Sequence, residues 1–308
     1  MKVLLTGATG MVGRNILAHT KSRDYEFITP LSKELNLLEK RNITVYLEQH
    51  KPDFIIHAAG VVGGIHANIS NPVKFLVENM QMGINLLTAA KDNNIRRLLN
   101  LGSSCMYPRG NESRLKENMI LTGELEPTNE GYALAKIASV KLCEYISKEE
   151  PEFQYKTAIP CNLYGKYDKF DEKNSHMIPA VIKKIVSAIE TGSREVDIWG
   201  DGEARREFMY AEDLADFIFY AIENFSNMPQ NINVGIGHDY TITEYYKVIA
   251  KTLGYKGAFV YDKSKPVGMH RKLIDNTLLA EFGWSNKVDL ESGISQTCQY
   301  FLTEINND

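Results

Sequence analysis

A tyrosine and a lysine four residues apart could form a proton-transfer pair. Tyr132 and Lys136 stand in a stretch whose apolar spacing is helical, so both side chains would share one helix face. An ammonium group beside a phenol favours the phenolate and lowers a phenol pKa that starts near ~10. Ser103, which follows a short apolar run, could bind a substrate oxygen in the same site. The pair is a weak signal by its spacing alone and a strong one together with Ser103 and an upstream glycine turn.

That glycine turn opens the first predicted helix. Gly7, Gly10 and Gly13 follow the apolar run at residues 3–5 and precede the helical residues 15–18. In this context the backbone can approach a pyrophosphate, and the amides of the helix N-terminus can bind it. The alternative is a tight strand-to-helix turn without a ligand. Three glycines at this spacing weaken a helix start unless a ligand needs the room, so we expect a bound dinucleotide.

The residues after the second predicted strand bear on which dinucleotide is bound. The sequence there is Pro30, Leu31, Ser32 and Lys33, with no Asp or Glu before Glu34. An acid at this place would bind the free 2′-hydroxyl of NAD, whereas Ser32 and Lys33 can hold a 2′-phosphate. The sequence therefore favours NADP, although the glycines alone do not choose between the two.

The elements that must position these residues alternate between strand and helix. Short apolar runs at residues 3–5, 27–28, 54–56 and 98–101 are separated by stretches of helical period such as 43–49 and 75–93. This alternation predicts an α/β fold with a doubly wound parallel (Rossmann) sheet, which binds ligands beyond the carboxyl ends of its strands. After residue 159 the alternation loosens. We predict a cofactor domain at 1–165, to which 200–232 return, and a smaller mixed α/β substrate domain at 166–308.

Composition excludes several classes of protein. The 308 residues are 44 % apolar and 24 % charged, as in globular proteins, and the net charge of −4 offers no basic field for nucleic acid or an anionic membrane. No apolar run approaches the ~18 residues of a spanning helix, and the N-terminal run is too short for a secretory signal, so we expect a cytoplasmic protein. The four cysteines lack any Cys-x-x-Cys pair, which predicts neither disulfides nor a metal site.

Further motifs carry a resemblance to a known family. The motifs are the turn at 6–13, His57-Ala58-Ala59-Gly60, the segment 102–108, Tyr132 with Lys136, and 162–165. Together they resemble the extended short-chain dehydrogenase/reductase superfamily. The segments 62–65, 126–130, Asn174-Ser175-His176, Arg206-Glu207-Phe208 and Lys272-Leu273 resemble, more narrowly, its GDP-L-fucose synthase family, which acts on GDP-4-keto-6-deoxy-mannose. The similarity runs through essentially the whole chain.

The resemblance implies a role for each residue of the site. Tyr132 would protonate a C4 ketone, Ser103 would bind its oxygen, and Lys136 would lower the phenol pKa and bind the nicotinamide ribose. Cys105 and His176 would be the base and acid that invert C3 and C5; without the resemblance they would be a small buried residue and a surface histidine. NADPH would be bound by Gly7, Thr9, Gly10, Met11, Val12, Gly13, Ser32, Lys33, Asn36, Leu37, Ala58, Ala59, Gly60, Lys136, Pro160, Asn162, Leu163 and His176.

The same resemblance implies a GDP-sugar substrate and a homodimer. The substrate contacts would be Asn162, Lys184, Trp199, Arg206 and Lys272. A guanidinium such as that of Arg206 suits a diphosphate through bidentate bonding. The predicted helices at 75–93 and 132–148 would pair with those of a second subunit.

Two departures from the family pattern keep alternatives open. Thr9 and Ser32 stand where better known members carry arginines for the 2′-phosphate, and Pro266-Val267-Gly268 lacks the usual acid. The expected reaction is NADPH-dependent reduction at C4 with 3,5-epimerisation, giving GDP-L-fucose. One alternative is a C4 reductase of a GDP-4-keto-heptose, in which Cys105 and His176 are idle. The other is a nucleotide-sensing regulator without catalysis, which predicts a gap at the Tyr or Lys position.

Overall fold

The computed structural model describes residues 1–110, 113–171, 175–265 and 267–305. Asn174 and Pro266, which belong to motifs named above, lie outside these residues. The described strands are β1 (Lys2–Thr6), β2 (Glu26–Ile28), β3 (Phe54–His57), β4 (Arg97–Leu101), β5 (Gln154–Pro160), β6 (Asn162–Tyr164), β7 (Glu195–Trp199), β8 (Arg205–Arg206), β9 (Phe208–Tyr210), β10 (Asn231–Val234), β11 (Tyr240–Thr241), β12 (Ala258–Asp262) and β13 (Arg271–Lys272). The described α-helices are α1 (Met11–Ala18), α2 (Lys40–His50), α3 (Ile65–Ser70), α4 (Pro72–Asp92), α5 (Glu130–Glu149), α6 (Met177–Thr191), α7 (Ala211–Glu223), α8 (Ile242–Leu253), α9 (Thr277–Phe282) and α10 (Leu290–Tyr300).

Six parallel strands form the central sheet, in the order β10-β5-β4-β3-β1-β2. In register, Thr6 stands opposite His57 and His57 opposite Asn100, so the carboxyl ends of β1, β3 and β4 form one edge. The order reverses at β1, which places the opening for a ligand beside the first strand. The predicted doubly wound fold is confirmed.

Helices cover both faces of this sheet. Val3 and Leu5 of β1 point into a core shared with α7, whereas Leu4 points into a core shared with α2 and α4. Alternate residues of a strand face opposite sides, so a continuous apolar run is what a strand buried on both faces requires. Helices α4 and α5 lie side by side, and Gly83 permits their close approach because a Cβ there would overlap the Ser139 hydroxyl.

A separate apolar cluster joins α6, β7, α8 and α10. Beside it lie two small sheets, with strand orders β12-β7 and β11-β8-β13. The chain between these parts returns to the central sheet, because α7 packs on α1 and β10 pairs with β5. Within the described ranges, no helix is both long and apolar enough to cross a bilayer, and no cluster of three His, Cys, Asp or Glu side chains could hold a metal ion.

Candidate active site

A cavity of about 820 Å³ opens at the carboxyl ends of the central strands. This is the edge at which doubly wound sheets bind their ligands. Every residue predicted to bind the cofactor lines the cavity, and so do Ser103 and Tyr132. The lining also includes residues that no sequence motif indicated, namely Leu35, Val61, Asn68, Phe75 and Met82.

The glycine turn is built for a ligand as well as for packing. Gly7 has φ +73°, and a Cβ there would stand 2.7 Å from the Ala59 amide nitrogen. A Cβ on Gly13 would overlap the Gly7 carbonyl oxygen, so both positions need glycine for internal reasons. Gly10 does not, since its Cβ would meet only the Gly7 oxygen, at 3.4 Å. Gly10 caps α1, whose first turn has neither a side-chain cap nor an acidic residue, so these amides remain available for an anion.

The loop after β2 presents a hydroxyl and an ammonium group to the same cavity. Ser32 and Lys33 line it. Glu34, the first acid after β2, is not part of the lining, because its Oε2 accepts a hydrogen bond from the Leu31 amide at 2.8 Å. A ribose 2′-phosphate in this part of the cavity would therefore meet Ser32 and Lys33, with Glu34 turned back onto the loop.

Helix α5 places Tyr132 and Lys136 below the end of β4. Lys136 is only 8 % exposed, and its Nζ donates a hydrogen bond to the Leu101 carbonyl at 2.9 Å. The same Nζ lies 5.8 Å from the centroid of the Tyr132 ring, which Phe75 contacts edge to face. Burial lowers the pKa of Lys136 to about 8.

The pKa of Tyr132 is shifted upwards, whereas the sequence predicts a downward shift. Burial raises the pKa of the phenol, the Cys105 thiol adds to the rise, and a hydrogen bond with Ser103 opposes it. Lys136 is not among the causes of this shift, and its ammonium group is bound to the Leu101 carbonyl, so a lowering of the phenol pKa by Lys136 stays a prediction. At neutral pH the phenol keeps its proton, which is the state that a proton donor needs.

Cys105 and His176 have opposite pKa shifts. Burial raises the pKa of the Cys105 thiol, against the effects of Ser103, Lys272 and Lys136. Cys105 lies directly behind Ser103, because its amide donates to the Ser103 hydroxyl at 3.4 Å, and it is not among the lining residues. His176 lines the cavity just before α6, and desolvation, Lys272 and Lys169 all lower its pKa. At neutral pH the cysteine is a thiol and the histidine is neutral.

The residues predicted to bind the substrate fall into two groups. Arg206 and Lys272 are register partners on β8 and β13, so their side chains share one face of the small sheet. Arg206 donates to the Val267 carbonyl at 2.8 Å, and Lys272 is the cation that acts on both Cys105 and His176. Asn162 lines the main cavity.

Lys184 and Trp199 form the other group; like Arg206 and Lys272, they are not among the residues that line the main cavity. The Lys184 ammonium lies 3.0 Å from each carboxylate oxygen of Asp197. Asp197 and Trp199 are two residues apart on β7 and share a face, so Lys184 and Trp199 lie on the same side of that strand. Trp199 is 42 % exposed, and the Lys265 ammonium stands 5.9 Å from its ring centroid.

Residues 3–237 match the NAD-dependent epimerase/dehydratase family. The chain belongs to this family. It is 85 % identical over 308 residues to the GDP-L-colitose synthase of Yersinia pseudotuberculosis, covering all of both chains. It is 49 % identical over 302 residues to the GDP-L-fucose synthase of Azorhizobium caulinodans, covering 98 % of this chain and 96 % of that one. The solved structure of MlghC, a GDP-mannoheptose C4 reductase from Campylobacter jejuni with NADP bound, has 27 % identity and a TM-score of 0.88 over 98 % of each chain.

These relatives confirm the resemblance read from the motifs. The epimerase/dehydratase family uses NAD or NADP, and the relatives at 85 % and 49 % identity are named as synthases of GDP-sugars. The family assignment extends beyond the central sheet, since the curated relatives align over nearly the full length of the chain.

Proposed function

We propose that this protein reduces the C4 ketone of a GDP-4-keto-deoxy sugar with NADPH after epimerising the sugar, and that its product is GDP-L-colitose. The observation that carries the proposal is the single cavity in which Ser103, Tyr132 and Lys136 lie together with the glycine turn. The name of the relative from Yersinia pseudotuberculosis, at 85 % identity, supports colitose as the sugar. The structure of MlghC with NADP supports the cofactor, together with Ser32 and Lys33 at the loop after β2.

Colitose is the 3,6-dideoxy counterpart of L-fucose. Its C3 carries two hydrogens and is not a stereocentre, so a C3 inversion has no consequence and only C5 must be inverted. The substrate would be a GDP-4-keto-3,6-dideoxy hexose. For this substrate, the predicted 3,5-epimerisation is reduced to an inversion at C5, by proton exchange at that carbon.

The residues of the cavity would fit NADPH at one end and the ketone at the other. The uncapped amides of α1 and the open position at Gly10 would hold the pyrophosphate, and Ser32 with Lys33 the 2′-phosphate. Bound NADPH supplies the hydride for C4. Lys136, at the foot of the cavity, would bind the ribose hydroxyls through its ammonium group.

Proton transfer at the ketone would fall to Tyr132 and Ser103. Hydride arrival at C4 leaves an alkoxide, which the protonated Tyr132 phenol neutralises while the Ser103 hydroxyl holds the oxygen. The same two donors stabilise the enolate that forms when a proton leaves C5. Cys105 and His176 would exchange that proton, with Lys136 and Lys272 placed to stabilise a transient thiolate.

GDP-L-fucose is the second candidate product. The 49 % identical relative from Azorhizobium caulinodans carries that name, and the motifs at 62–65 and 206–208 resemble the same family. The difference between the two products is one hydroxyl at C3. The third candidate function is C4 reduction of a GDP-4-keto-heptose, which the structural similarity to MlghC supports.

We propose a division of labour between two parts of the chain. Residues 1–165 and 200–232 would bind NADPH, and residues 166–308 would contribute the GDP-sugar contacts, including Lys184, Trp199, Arg206 and Lys272. A cytoplasmic location belongs to this proposal, since both nucleotides are charged molecules that do not cross a bilayer unaided.

We also propose a homodimer. Helix α4 exposes Val73, Val77 and Ile84, and the neighbouring α5 exposes Leu134 and Tyr145. Adjacent exposed apolar side chains on two long parallel-packed helices form the kind of surface that a second copy covers.

The decisive experiment compares three ketones. The purified protein is incubated with NADPH and, separately, with GDP-4-keto-3,6-dideoxy-mannose, GDP-4-keto-6-deoxy-mannose and a GDP-4-keto-heptose, and kcat/KM is measured from NADPH oxidation. We expect the 3,6-dideoxy sugar to give the highest value and a product with the L-configuration at C5. A higher value for the 6-deoxy sugar would establish fucose instead, and no turnover of any of the three would refute the reductase.

Epimerisation is tested without reduction. In deuterated water and in the absence of NADPH, we expect deuterium to enter C5 of the ketone, and Cys105→Ala to slow this entry while Cys143→Ala, a matched buried cysteine on α5, does not. Unchanged C5 hydrogens in the wild-type reaction would leave a C4 reductase only.

A further inference from the structure

One buried carboxylate lies beneath the predicted substrate residues and has no part in the proposed chemistry. Glu207, between β8 and β9, is 1 % exposed. Its Oε2 accepts a hydrogen bond from the Ile274 amide at 3.0 Å, and its Oε1 accepts one from the Gly237 amide at 2.7 Å. The Ile236 amide contributes a further hydrogen bond. A buried carboxylate bound to backbone amides joins the segments that carry those amides.

Those segments come from both parts of the fold. Gly237 follows β10, the edge strand of the central sheet, whereas Ile274 follows β13 by two residues. The loop after β10 approaches so closely that a Cβ on Gly235 would overlap Glu207 Oε1. Through these hydrogen bonds, the carboxylate connects the segment after β13 to the loop after β10 of the central sheet.

Three predicted ligand contacts converge on this residue. Arg206 precedes it in the chain and pairs in register with Lys272, whose strand ends two residues before Ile274. The backbone carbonyl of Glu207 accepts a hydrogen bond from Asn162 Nδ2 at 2.9 Å, which orients an amide side chain that lines the main cavity. Loss of the carboxylate contacts would loosen the chain just after β13, although the pairing of β13 with β8 would remain.

The charge of Glu207 has only a small effect on Lys272. Burial lowers the pKa of Lys272, and Cys105, Cys161 and Glu207 oppose that effect. Desolvation in turn raises the pKa of Glu207 to about 7, against its amide hydrogen bonds. The positioning role of Glu207 therefore depends on its hydrogen bonds to the backbone amides and not on its charge.

We infer that Glu207 is a positioning residue for the GDP-sugar, one that holds Lys272 beside Arg206 on the small sheet. This inference rests on the proposed function, since it concerns how the same cleft binds its substrate. Glu207 touches neither nucleotide itself; its carboxylate acts through β13, whereas the bond to Asn162 belongs to its backbone carbonyl. Removal of the carboxylate should weaken binding of the guanosine diphosphate part of the substrate and leave the binding of NADPH unchanged.

The test uses Glu207→Gln with a matched control. A glutamine offers one acceptor and places an NH2 group against a backbone N–H, so one of the joined segments is released. We expect the KM for the ketone and the Kd for GDP to rise about tenfold or more, with kcat less affected and the Kd for NADPH unchanged. The control is Asp213→Asn, because Asp213 is 2 % exposed and likewise accepts hydrogen bonds from two amides, those of Lys287 and Val288.

A structural role alone would lower thermal stability in both variants without the selective loss of GDP affinity. Equal GDP affinities for wild type and Glu207→Gln, or the same loss in Asp213→Asn, would overturn the inference. If Glu207→Gln does not fold, Glu207→Asp takes its place and must show the same selective change. In a double-mutant cycle with Lys272→Met, the second substitution should add little to the first, and full additivity would contradict action through Lys272.

The inference and the proposed function fail in different ways. Wild-type protein that turns over no GDP-4-keto sugar would refute the proposed function. Wild-type turnover combined with an unaffected Glu207→Gln variant would refute the role of Glu207 alone.

Discussion

Replacement of Lys136 by methionine should abolish turnover and make the protein more stable. Lys136 is 8 % exposed, and burial lowers its pKa from the ordinary 10.5 to about 8. A difference of this size means that the charged lysine destabilises the folded chain by roughly 3 kcal/mol at neutral pH. Its hydrogen bond to the Leu101 carbonyl offsets about 1 kcal/mol of this. Methionine fills a similar volume without a charge, so the net gain is about 2 kcal/mol.

The pH dependence follows from the direction of the same shift. At pH 7 the lysine is protonated in the folded and the unfolded chain, so the destabilisation is fully present. Between pH 8 and 10.5 the folded chain loses the proton first, and the destabilisation declines as pH rises. The stability difference between Lys136→Met and wild type should therefore be largest at pH 7 and small near pH 10.

Urea unfolding and thermal unfolding measure both statements. We expect the melting temperature of Lys136→Met at pH 7 to exceed that of wild type by about 4 °C. Lys148→Met is the control, because Lys148 lies on the same helix and is exposed, so its loss should change stability little. A melting temperature equal to or below that of wild type, or a difference that does not shrink towards pH 10, would refute the reasoning about desolvation.

Three further predictions concern the cavity. Tyr132→Phe should lower kcat by about 10²–10⁴-fold with the Kd for NADPH unchanged, because it removes only the proton donor. Tyr145, 58 % exposed on the same helix, is the control, and Tyr145→Phe should have no effect. A Tyr132→Phe variant as active as wild type would remove Tyr132 from the mechanism. Gly13→Ala should unfold at a lower temperature than wild type in differential scanning calorimetry, because its Cβ overlaps the Gly7 carbonyl, whereas Gly10→Ala should keep its melting temperature and lose NADPH affinity. The reverse pattern would contradict the assignment of Gly10 to the pyrophosphate. Lys33→Met should raise the KM for NADPH about tenfold and leave that for NADH unchanged in steady-state assays, because only NADPH offers a phosphate to this ammonium group; parallel changes for both cofactors would exclude the 2′-phosphate contact.

The central sheet was predictable because its strands are buried on both faces. The apolar runs at 54–56 and 98–101 correspond to β3 (Phe54–His57) and β4 (Arg97–Leu101). The predicted helix at 75–93 begins earlier in the structure, at Pro72, because proline is favoured in the first turn of a helix and its fixed φ suits that position. Local periodicity was sufficient wherever an element buries a long, regular face.

The small sheets were not predictable by the same means. Strands β8 and β13 have two residues each, and Arg205 pairs with Arg271 across a separation of 66 positions. A two-residue strand of charged residues has no periodicity to detect. Glu207 illustrates the same limit, since a glutamate is rarely buried and its partners at Gly237 and Ile274 are distant in the chain. A motif could mark its position, and only the fold could show its contacts.

The charges at the cleft fit the diphosphate of the proposed substrate. Burial lowers the pKa of Lys136, Lys272 and Arg206, so three cations are held in surroundings that disfavour their charge. Glu207 follows Arg206 directly in the chain, and its carboxylate has a small effect on the pKa of Lys272. That carboxylate already accepts hydrogen bonds from backbone amides. A diphosphate brought against Arg206 and Lys272 would restore the favourable charge balance that folding removes. Because the Cys105 thiol responds to the same lysines, the charge of the bound ligand would also alter how readily that thiol loses its proton. In the proposed reaction, substrate binding and proton exchange at the sugar would therefore be coupled through Lys136 and Lys272.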